Sequence, residues 1–285
     1  MGVNIFILIS GWFGIKFRPL GIFSLLFNVL FLGWFVAVLV HSCGIRIPLM
    51  EMLDLTYFGS YYWFVPSYIL LFICAPLLNS FTENTSKKDL SIFLGVFFIF
   101  EFALGWLWDR ENYGYGYSCL SFIGLYMTAR YLHKYEKNLS LMKLRKGVCF
   151  LFYLILTIIP ATAAFILTKN SIVFNQLAYS SPFVIGAAIS LLLLFRQIDL
   201  GSKTFVNWCA ESAFSMYLIN LHPMVWPLWS YNMNLIYEQY GSKFYWLAVI
   251  AICLVFSVIC ILIDKVRIFI WQQILRLYEY NTKRI

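Results

Sequence analysis

The chain has 285 residues, of which 62% are hydrophobic, 20% are aromatic and only 12% are charged. A soluble domain carries about 25% charged residues, and so few charges could not cover the wetted surface of a protein of this length. The composition therefore excludes a soluble enzyme, a disordered chain and a secreted disulfide scaffold, and it indicates an integral membrane protein. The apolar runs are continuous rather than alternating, so they predict spanning helices and not barrel strands.

Nine apolar segments are candidates for crossing a bilayer, which requires about 20 residues of helix. They are residues 1–15, 20–41, 61–80, 90–108, 117–132, 147–168, 178–195, 204–222 and 244–263. No repeat, linker or low-complexity segment separates them. The sequence therefore predicts an all-α fold, a polytopic transmembrane helix bundle that forms a single domain over residues 1–285.

The basic residues predict the orientation of this bundle. Of the 21 Lys and Arg residues, all but Arg46, Arg110, Lys169 and Lys243 fall in alternate connections or in the C-terminal segment. By the positive-inside rule these connections face the cytoplasm, so the C-terminus is predicted to be cytoplasmic and the first residue external. Topology then accounts for the net charge of +8, and no basic motif for nucleic acid occurs.

The cysteine and histidine residues predict neither disulfides nor a metal site. The seven Cys have no C-x-x-C spacing, and the three His lie far apart in the sequence, unlike the ligands of a zinc site. After the last span, residues 265–280 alternate polar and apolar side chains. This pattern predicts an amphipathic helix that lies at the cytoplasmic interface.

Ionisable groups inside spans are costly and therefore suggest function. Glu101 and Glu211 are the two carboxylates that fall within predicted spans. Ser215 and His222 follow Glu211 at i+4 and i+11, so one helical face could carry all three as catalytic candidates. A continuous helix would nevertheless separate Glu211 from His222 by about 16 Å. Polar contacts between helices, or a His that favours a helix C-terminus, are the alternatives.

The end of the first span combines small and basic residues. Ser10, Gly11 and Gly14 form a small-residue face, and Lys16 and Arg18 follow at once. Basic side chains beside such a face could hold the phosphates of a cytosolic cofactor. Close helix packing and positive-inside anchoring are the alternatives for the same residues.

Three segments resemble the motifs of one family. Residues 2–14 read GVNIFILISGWFG and resemble the pattern G-V-x-x-F-F-x-x-S-G-(F/Y). Residues 62–79 read YWFVPSYILLFICAPLLN and resemble W-F-(L/V) followed by a helix with Pro. Residues 214–223 read FSMYLINLHP and are similar to F-(S/G/A)-(I/V/M)-Y-L-I-(H/N). In this order, over nearly the whole chain, they resemble the membrane acyltransferase-3 family, the bacterial O-acyltransferases of surface polysaccharides.

The resemblance implies an enzyme of the bacterial inner membrane that moves an acyl group from acyl-CoA, with acetyl-CoA as the expected donor, to a hydroxyl of a lipid-linked or exported glycan. Acyl-CoA, the glycan and membrane lipids are the expected partners, with no permanently bound cofactor. The candidates for holding acyl-CoA are Ser10, Gly11, Lys16 and Arg18. The catalytic candidates are Glu101, Glu211, Ser215 and His222.

The resemblance also implies ten helices with both termini in the cytoplasm, one more than the nine segments above. In the family the first helix carries an Arg and a His, and the His is the proposed catalytic residue. This chain begins with the helix that follows, and Asn220 stands where many members have His. We therefore expect a further helix upstream of Met1, and we expect the printed chain to show no detectable acyl transfer without it.

Two other functions fit a polytopic membrane protein. A polyprenyl-glycan transporter or flippase is the main alternative, but repeated halves with matching Gly/Pro breaks, which many transporters show, are not seen in this sequence. A polysaccharide polymerase is the third, but the external connections at residues 42–60 and 223–243 hold few charges.

Overall fold

The computed structural model describes residues 1–44, 50, 62–108, 113–170, 175–199 and 201–282. These residues form helices and turns, with no β-strand among them, which confirms the all-α class. The helices are α1 Gly2–Phe13, α2 Pro19–Ser42, α3 Phe64–Asn84, α4 Lys87–Phe100, α5 Cys119–Lys134, α6 Lys146–Lys169, α7 Pro182–Arg196, α8 Thr204–Ala210, α9 Ala213–Asn220 and α10 Trp226–Thr282. A π-helical segment, Glu101–Leu107, continues α4.

Five helical segments are long and apolar enough to cross a membrane. They are Pro19–Ser42, Phe64–Asn84, Lys87–Leu107, Lys146–Lys169 and Phe244–Tyr280. Two shorter apolar helices, α1 and α7, accompany them. The chain is therefore a multi-pass membrane protein, as the composition predicts.

Local sequence signals set several of the helix ends. Ser86 and Ser118 precede α4 and α5, and each side chain accepts a hydrogen bond from the backbone N–H three residues later, which is the usual role of a serine N-cap. Pro19 and Pro182 occupy the first turns of α2 and α7, where the missing N–H of proline costs nothing. Gly14 ends α1 with a positive φ of 76°, which glycine adopts without strain.

The C-terminal part of the chain differs from the predicted layout. The predicted span 204–222 is two short helices, α8 and α9, because the chain turns at Glu211 and Ser212. The predicted external loop 223–243 is helical from Trp226 onward. Gly241, with φ 65° and ψ −177°, interrupts α10 at the end of this loop.

The last helix also continues beyond the predicted final span. The segment Phe244–Tyr280 has 37 residues, so at 1.5 Å per residue it is about 56 Å long. A hydrocarbon core is only about 30 Å thick. Residues 265–280 are thus a direct extension of the spanning helix, not a separate helix that begins at the interface.

The contacts divide the chain into two compact units. Unit 1 consists of Met1–Phe17 and Phe64–Leu200, and unit 2 consists of Arg18–Trp63 and Gly201–Ile285. In unit 1, α1 packs on α5 and α7, α3 packs on α5, and α6 packs on α7. In unit 2, α2, α9 and α10 pack on one another. The single domain over residues 1–285 stays a prediction.

Glycine lets two helices of unit 1 approach closely. A Cβ atom added to Gly11 would lie 2.5 Å from the Tyr126 carbonyl oxygen and 2.9 Å from the Ala129 Cβ. A Cβ atom added to Gly124 would overlap the ring of Phe97. Small residues at such contacts are typical of helix packing in membranes, so Gly11 fixes α1 against α5.

Candidate functional site

A cluster of polar side chains surrounds the end of α1 in unit 1. We call it the Gly14-end cluster; its members are Asn79, Glu83, Tyr126, Arg130 and Lys134. The Tyr126 hydroxyl accepts from the Ile15 N–H at 2.9 Å and donates to the Asn79 Oδ1 at 2.8 Å.

The Asn79 amide completes this arrangement, since its Nδ2 donates to the Ile15 carbonyl at 3.0 Å. Both backbone polar groups of Ile15 are therefore satisfied by side chains of α3 and α5. The result is a fixed backbone immediately before Lys16.

The cationic part of the cluster lies against the same backbone. The Arg130 Nη2 is 2.6 Å from the Glu83 Oε1, and a Cβ atom at Gly14 would meet the Arg130 Nη1 at 2.8 Å. The Lys134 Nζ donates to the carbonyls of Thr82, Glu83 and Thr85 at the C-terminal end of α3. The cluster contains two cations and one carboxylate, so it has an excess of positive charge. The position of the Lys134 ammonium group at the C-terminus of α3 is favourable for a lysine.

The sequence-predicted cofactor residues take different positions at this end. Ser10 donates to the Phe6 carbonyl at 2.9 Å, and its Oγ is 3.3 Å from the Tyr68 hydroxyl. Gly11 is buried in the contact of α1 with α5. Lys16, in unit 1, and Arg18, at the start of unit 2, are exposed. Their contacts with acyl-CoA stay predictions.

Glu101 is the catalytic candidate that lies in unit 1. Its side chain is 1% exposed and begins the π-helical segment, a kind of distortion that is frequent at functional sites. The Glu101 Oε1 accepts from the Ser121 hydroxyl at 2.5 Å. Its Oε2 is buried and has no hydrogen-bond partner among the described residues. The carboxylate thus keeps one oxygen available for a ligand.

The other three catalytic candidates lie in unit 2, and none of them is hydrogen-bonded to another within the described residues. The side chain of Glu211 is 62% exposed and pairs with the Lys265 Nζ at 3.0 Å. His222 is buried, with its Nε2 3.0 Å from the Gly33 carbonyl, and its Nδ1 accepts from the Met224 N–H at 3.2 Å. These bonds assign the Nε2–H tautomer and occupy both ring nitrogens.

Ser215 belongs to a buried polar cluster that the sequence analysis missed. The Ser215 Oγ is 2.6 Å from the Asp264 Oδ1 and 3.2 Å from the Asn28 side-chain amide. A hydroxyl has one proton, so Ser215 donates to the nearer Asp264 carboxylate. With its side-chain N and O exchanged, the Asn28 amide donates to the Ser215 oxygen. The Arg267 Nε lies 2.5 Å from the same Asp264 oxygen.

The spacing of residues along two helices could have indicated the Gly14-end cluster from the sequence. Tyr126, Arg130 and Lys134 follow one another at i, i+4 and i+8, and Asn79 and Glu83 are separated by four residues. Each set therefore lies on one face of its helix. The positive-inside rule explains the basic members by topology alone, although an uncharged tyrosine and asparagine share their helix faces.

Comparison with known families matches residues 1–264 to a model described as an acyltransferase domain. The match covers most of the chain and includes both units. No curated protein and no solved structure matches the chain. Within the described residues, no group of three or more His, Cys, Asp or Glu side chains could hold a metal ion.

Proposed function

Because this chain belongs to the membrane acyltransferase-3 family, we propose that it transfers an acetyl group from acetyl-CoA to a hydroxyl of a cell-surface or exported polysaccharide. The family makes it a membrane acyltransferase. The donor, the acceptor and the bacterial inner membrane are the proposal. The match to an acyltransferase domain supports an enzyme over a polyprenyl-glycan transporter or flippase.

The observation that carries the donor assignment is the cationic character of the Gly14-end cluster. CoA carries phosphate groups, and guanidinium and ammonium groups bind phosphate through charge-assisted hydrogen bonds. Arg130 lies on the Gly14 backbone, and the exposed Lys16 follows two residues later. We assign the phosphates to this end, and Arg18 stays a candidate on the grounds of the sequence alone. The basic connections predict that it faces the cytoplasm, where acyl-CoA is available.

Glu101 is the candidate best placed to act on the acceptor. In the reaction, the hydroxyl oxygen forms a bond to the thioester carbonyl carbon, the carbon–sulfur bond breaks, and the hydroxyl proton passes through a base to the thiolate. A base must offer an unengaged atom to that proton. Glu101 retains Oε2, whereas His222 uses both ring nitrogens and Glu211 pairs with Lys265.

Ser215, His222 and Glu211 receive other roles in this proposal. Ser215 gives its proton to Asp264, and it is assigned to positioning of α9 against α2 and α10. His222 holds the backbone of Gly33 and Met224 in place. Glu211 forms an exposed ion pair at the turn between α8 and α9.

The donor assignment is tested by acetyl-CoA binding to the purified chain in lipid nanodiscs, which requires no turnover. We expect the double variant Lys16→Ala/Arg18→Ala to weaken binding at least about fivefold, since a hydrogen bond to a charged group contributes about 1.5–3 kcal/mol and exposure reduces that figure. The matched control is Lys143→Ala/Arg145→Ala, which removes two exposed basic residues elsewhere.

Two results would contradict the assignment. Equal acetyl-CoA affinity in the wild type and in the Lys16→Ala/Arg18→Ala variant would assign these residues to membrane topology. An equal loss of affinity in both double variants would show a nonspecific effect of net charge. Membrane insertion of each variant is checked by its yield in the membrane fraction.

A further inference from the structure

The end of unit 1 where α1 begins contains buried polar atoms that lack partners. Among the described residues, no hydrogen bond reaches the Asn4 Oδ1, the Glu101 Oε2, the Gln176 Nε2 or the Ser181 Oγ. These four side chains are at most 6% exposed. A buried polar group without a partner costs about 1–3 kcal/mol, so four of them in one region suggest that a ligand supplies the missing bonds.

Hydrogen bonds join the segments that carry these atoms. The Asn4 Nδ2 donates to the Tyr179 carbonyl at 2.9 Å, which fixes the start of α1 to the loop before α7. The Ser180 hydroxyl donates to the Gly105 carbonyl at 2.8 Å, which fixes that loop to the π-helical segment. Glu101 begins this segment. We call the assembled region, residues 4, 101–107 and 175–181, the Asn4-end site.

The backbone around this site is tightly constrained. Tyr115 has φ 51°, a value that is uncommon for a residue other than glycine, and its carbonyl accepts from the Ser180 N–H at 3.2 Å. A Cβ atom at Gly116 would lie 2.6 Å from the same Ser180 nitrogen. Unusual backbone conformations of this kind persist where the surroundings fix them, and they cluster at ligand sites.

The chemistry of the unpartnered atoms fits hydroxyl groups. The Asn4 Oδ1 and the Glu101 carboxylate can only accept, the Gln176 Nε2 can only donate, and the Ser181 hydroxyl can do both. A ligand hydroxyl also donates and accepts, so a ring with several hydroxyl groups can satisfy all four atoms. A phosphate lacks the donors that two of these atoms require, and the carboxylate would repel it.

Aromatic side chains belong to the same segments or to residues in contact with them. The Trp106 Nε1 donates to the Asn175 carbonyl at 3.1 Å, and the Trp106 ring lies 6.0 Å from that of Phe183. The rings of Tyr117 and Tyr179 are 5.0 Å apart. Amphipathic rings of this kind offer apolar faces next to polar edges, which suits the alternating C–H and O–H surfaces of a sugar.

We propose that the Asn4-end site binds a sugar ring of the acceptor through its hydroxyl groups, with Gln176 and Ser181 as residues that determine which sugar is accepted. This inference rests on the proposed function, because it supplies the acceptor half of the transfer. The Glu101 Oε2 then faces one hydroxyl of the bound sugar, while Gln176 and Ser181 bind and position the neighbouring hydroxyl groups. The Gly14-end cluster lies at the other end of α1, and the ten-residue step from Asn4 to Gly14 corresponds to about 15 Å of helix.

The test measures sugar binding directly. The full chain in nanodiscs is titrated with glucose, galactose and N-acetylglucosamine, and saturation-transfer NMR detects the bound sugar; cyclohexanol, with one hydroxyl, is the control probe. We expect at least one sugar to receive saturation and cyclohexanol to receive little. The double variant Gln176→Leu/Ser181→Ala is expected to reduce the sugar signal at least about fivefold. The control variant is Asn138→Ala, whose exposed side chain lies outside this site.

Each result of this test decides the proposal. An absence of saturation transfer to all three sugars, or an equal signal in the wild type and in the Gln176→Leu/Ser181→Ala variant, would overturn it. An unchanged melting temperature of the double variant shows that a loss of sugar signal does not come from misfolding. Acetyl-CoA binding is measured on the same samples. Normal acetyl-CoA binding without sugar binding refutes this inference alone, whereas sugar binding without acetyl-CoA binding refutes the proposed donor.

Discussion

At the Gly14 end of unit 1 most polar side chains satisfy one another, with the Arg130 Nε as an exception, whereas at the Asn4 end four buried polar atoms have no partner among the described residues. Near Gly14, Tyr126 and Asn79 close a set of hydrogen bonds around Ile15. Near Asn4, the unpartnered atoms belong to side chains that are almost fully buried. Both ends belong to the same short helix, α1. The difference between them therefore comes from the segments that pack on each end.

This difference separates two uses of buried polar groups. A satisfied cluster contributes to the stability of the free protein, because removing one member leaves its partner unsatisfied. An unsatisfied buried group lowers that stability, and it becomes favourable only when a ligand supplies the missing hydrogen bond. Variants that remove a hydrogen-bonded member of the Gly14-end cluster should therefore lower the melting temperature without ligand, whereas variants of the unpartnered atoms at the Asn4 end should affect sugar binding.

The buried ion pair of unit 2, between Asp264 and Arg267, is expected to give the largest effect on stability. Asp264→Asn leaves Arg267 without its carboxylate, and the Arg267 side chain is only 7% exposed. Breaking a buried pair costs about 3–5 kcal/mol. We expect this variant to show the largest loss of thermal stability in detergent. Glu211→Gln, which breaks the exposed pair with Lys265, is the control and should cost about 0–1 kcal/mol.

The packing of Gly11 holds both ends of α1 in place. Gly11→Ala introduces a Cβ atom that would lie 2.5 Å from a backbone oxygen of α5, so the helices must separate. Overpacking of this kind costs about 1–3 kcal/mol. A lower melting temperature and a loss of acetyl-CoA binding are expected together. Gly95→Ala is the control because nothing lies within 4 Å of its added Cβ; equal behaviour of the two variants would contradict the close packing.

The Gly14-end cluster should lose stability when one hydroxyl is removed. Tyr126→Phe deletes the group that accepts from the Ile15 N–H and donates to Asn79. The unsatisfied partners that remain cost about 1–3 kcal/mol. The measurement is thermal unfolding in detergent without ligand. A melting temperature equal to that of the wild type would show that water replaces the hydroxyl and that the cluster is not closed.

Composition and periodicity predict the membrane class, the all-α fold and the helices of unit 1 because these properties depend on local sequence. They also indicate Glu101, since a carboxylate in the middle of an apolar run must find polar neighbours. The structure places that side chain in contact with Ser121 and almost fully buried. The π-helical turn at this position has no comparable signal in the sequence.

The same reasoning failed for the acidic residues of unit 2. Glu211 lies within an apolar run, yet the turn between α8 and α9 exposes it. Asp264 follows directly after the predicted last span and was not singled out as a site residue, yet it is fully buried. Burial here depends on how α2 and α9 pack on α10, and hydropathy along one helix contains no information about such contacts.

The smallest effect on stability is expected for Ser181→Ala at the Asn4-end site. The Ser181 Oγ is buried and has no partner among the described residues, so its removal takes away a polar atom that costs free energy in the unliganded protein. The melting temperature without ligand should stay equal to that of the wild type or rise slightly, in contrast to Tyr126→Phe. Saturating sugar should raise the melting temperature of this variant less than that of the wild type. The lost hydrogen bond weakens sugar binding, and weaker binding stabilises the folded protein less. A clear loss of melting temperature without sugar would show that Ser181 already has a structural partner, and the contrast between the two ends of α1 would then be wrong.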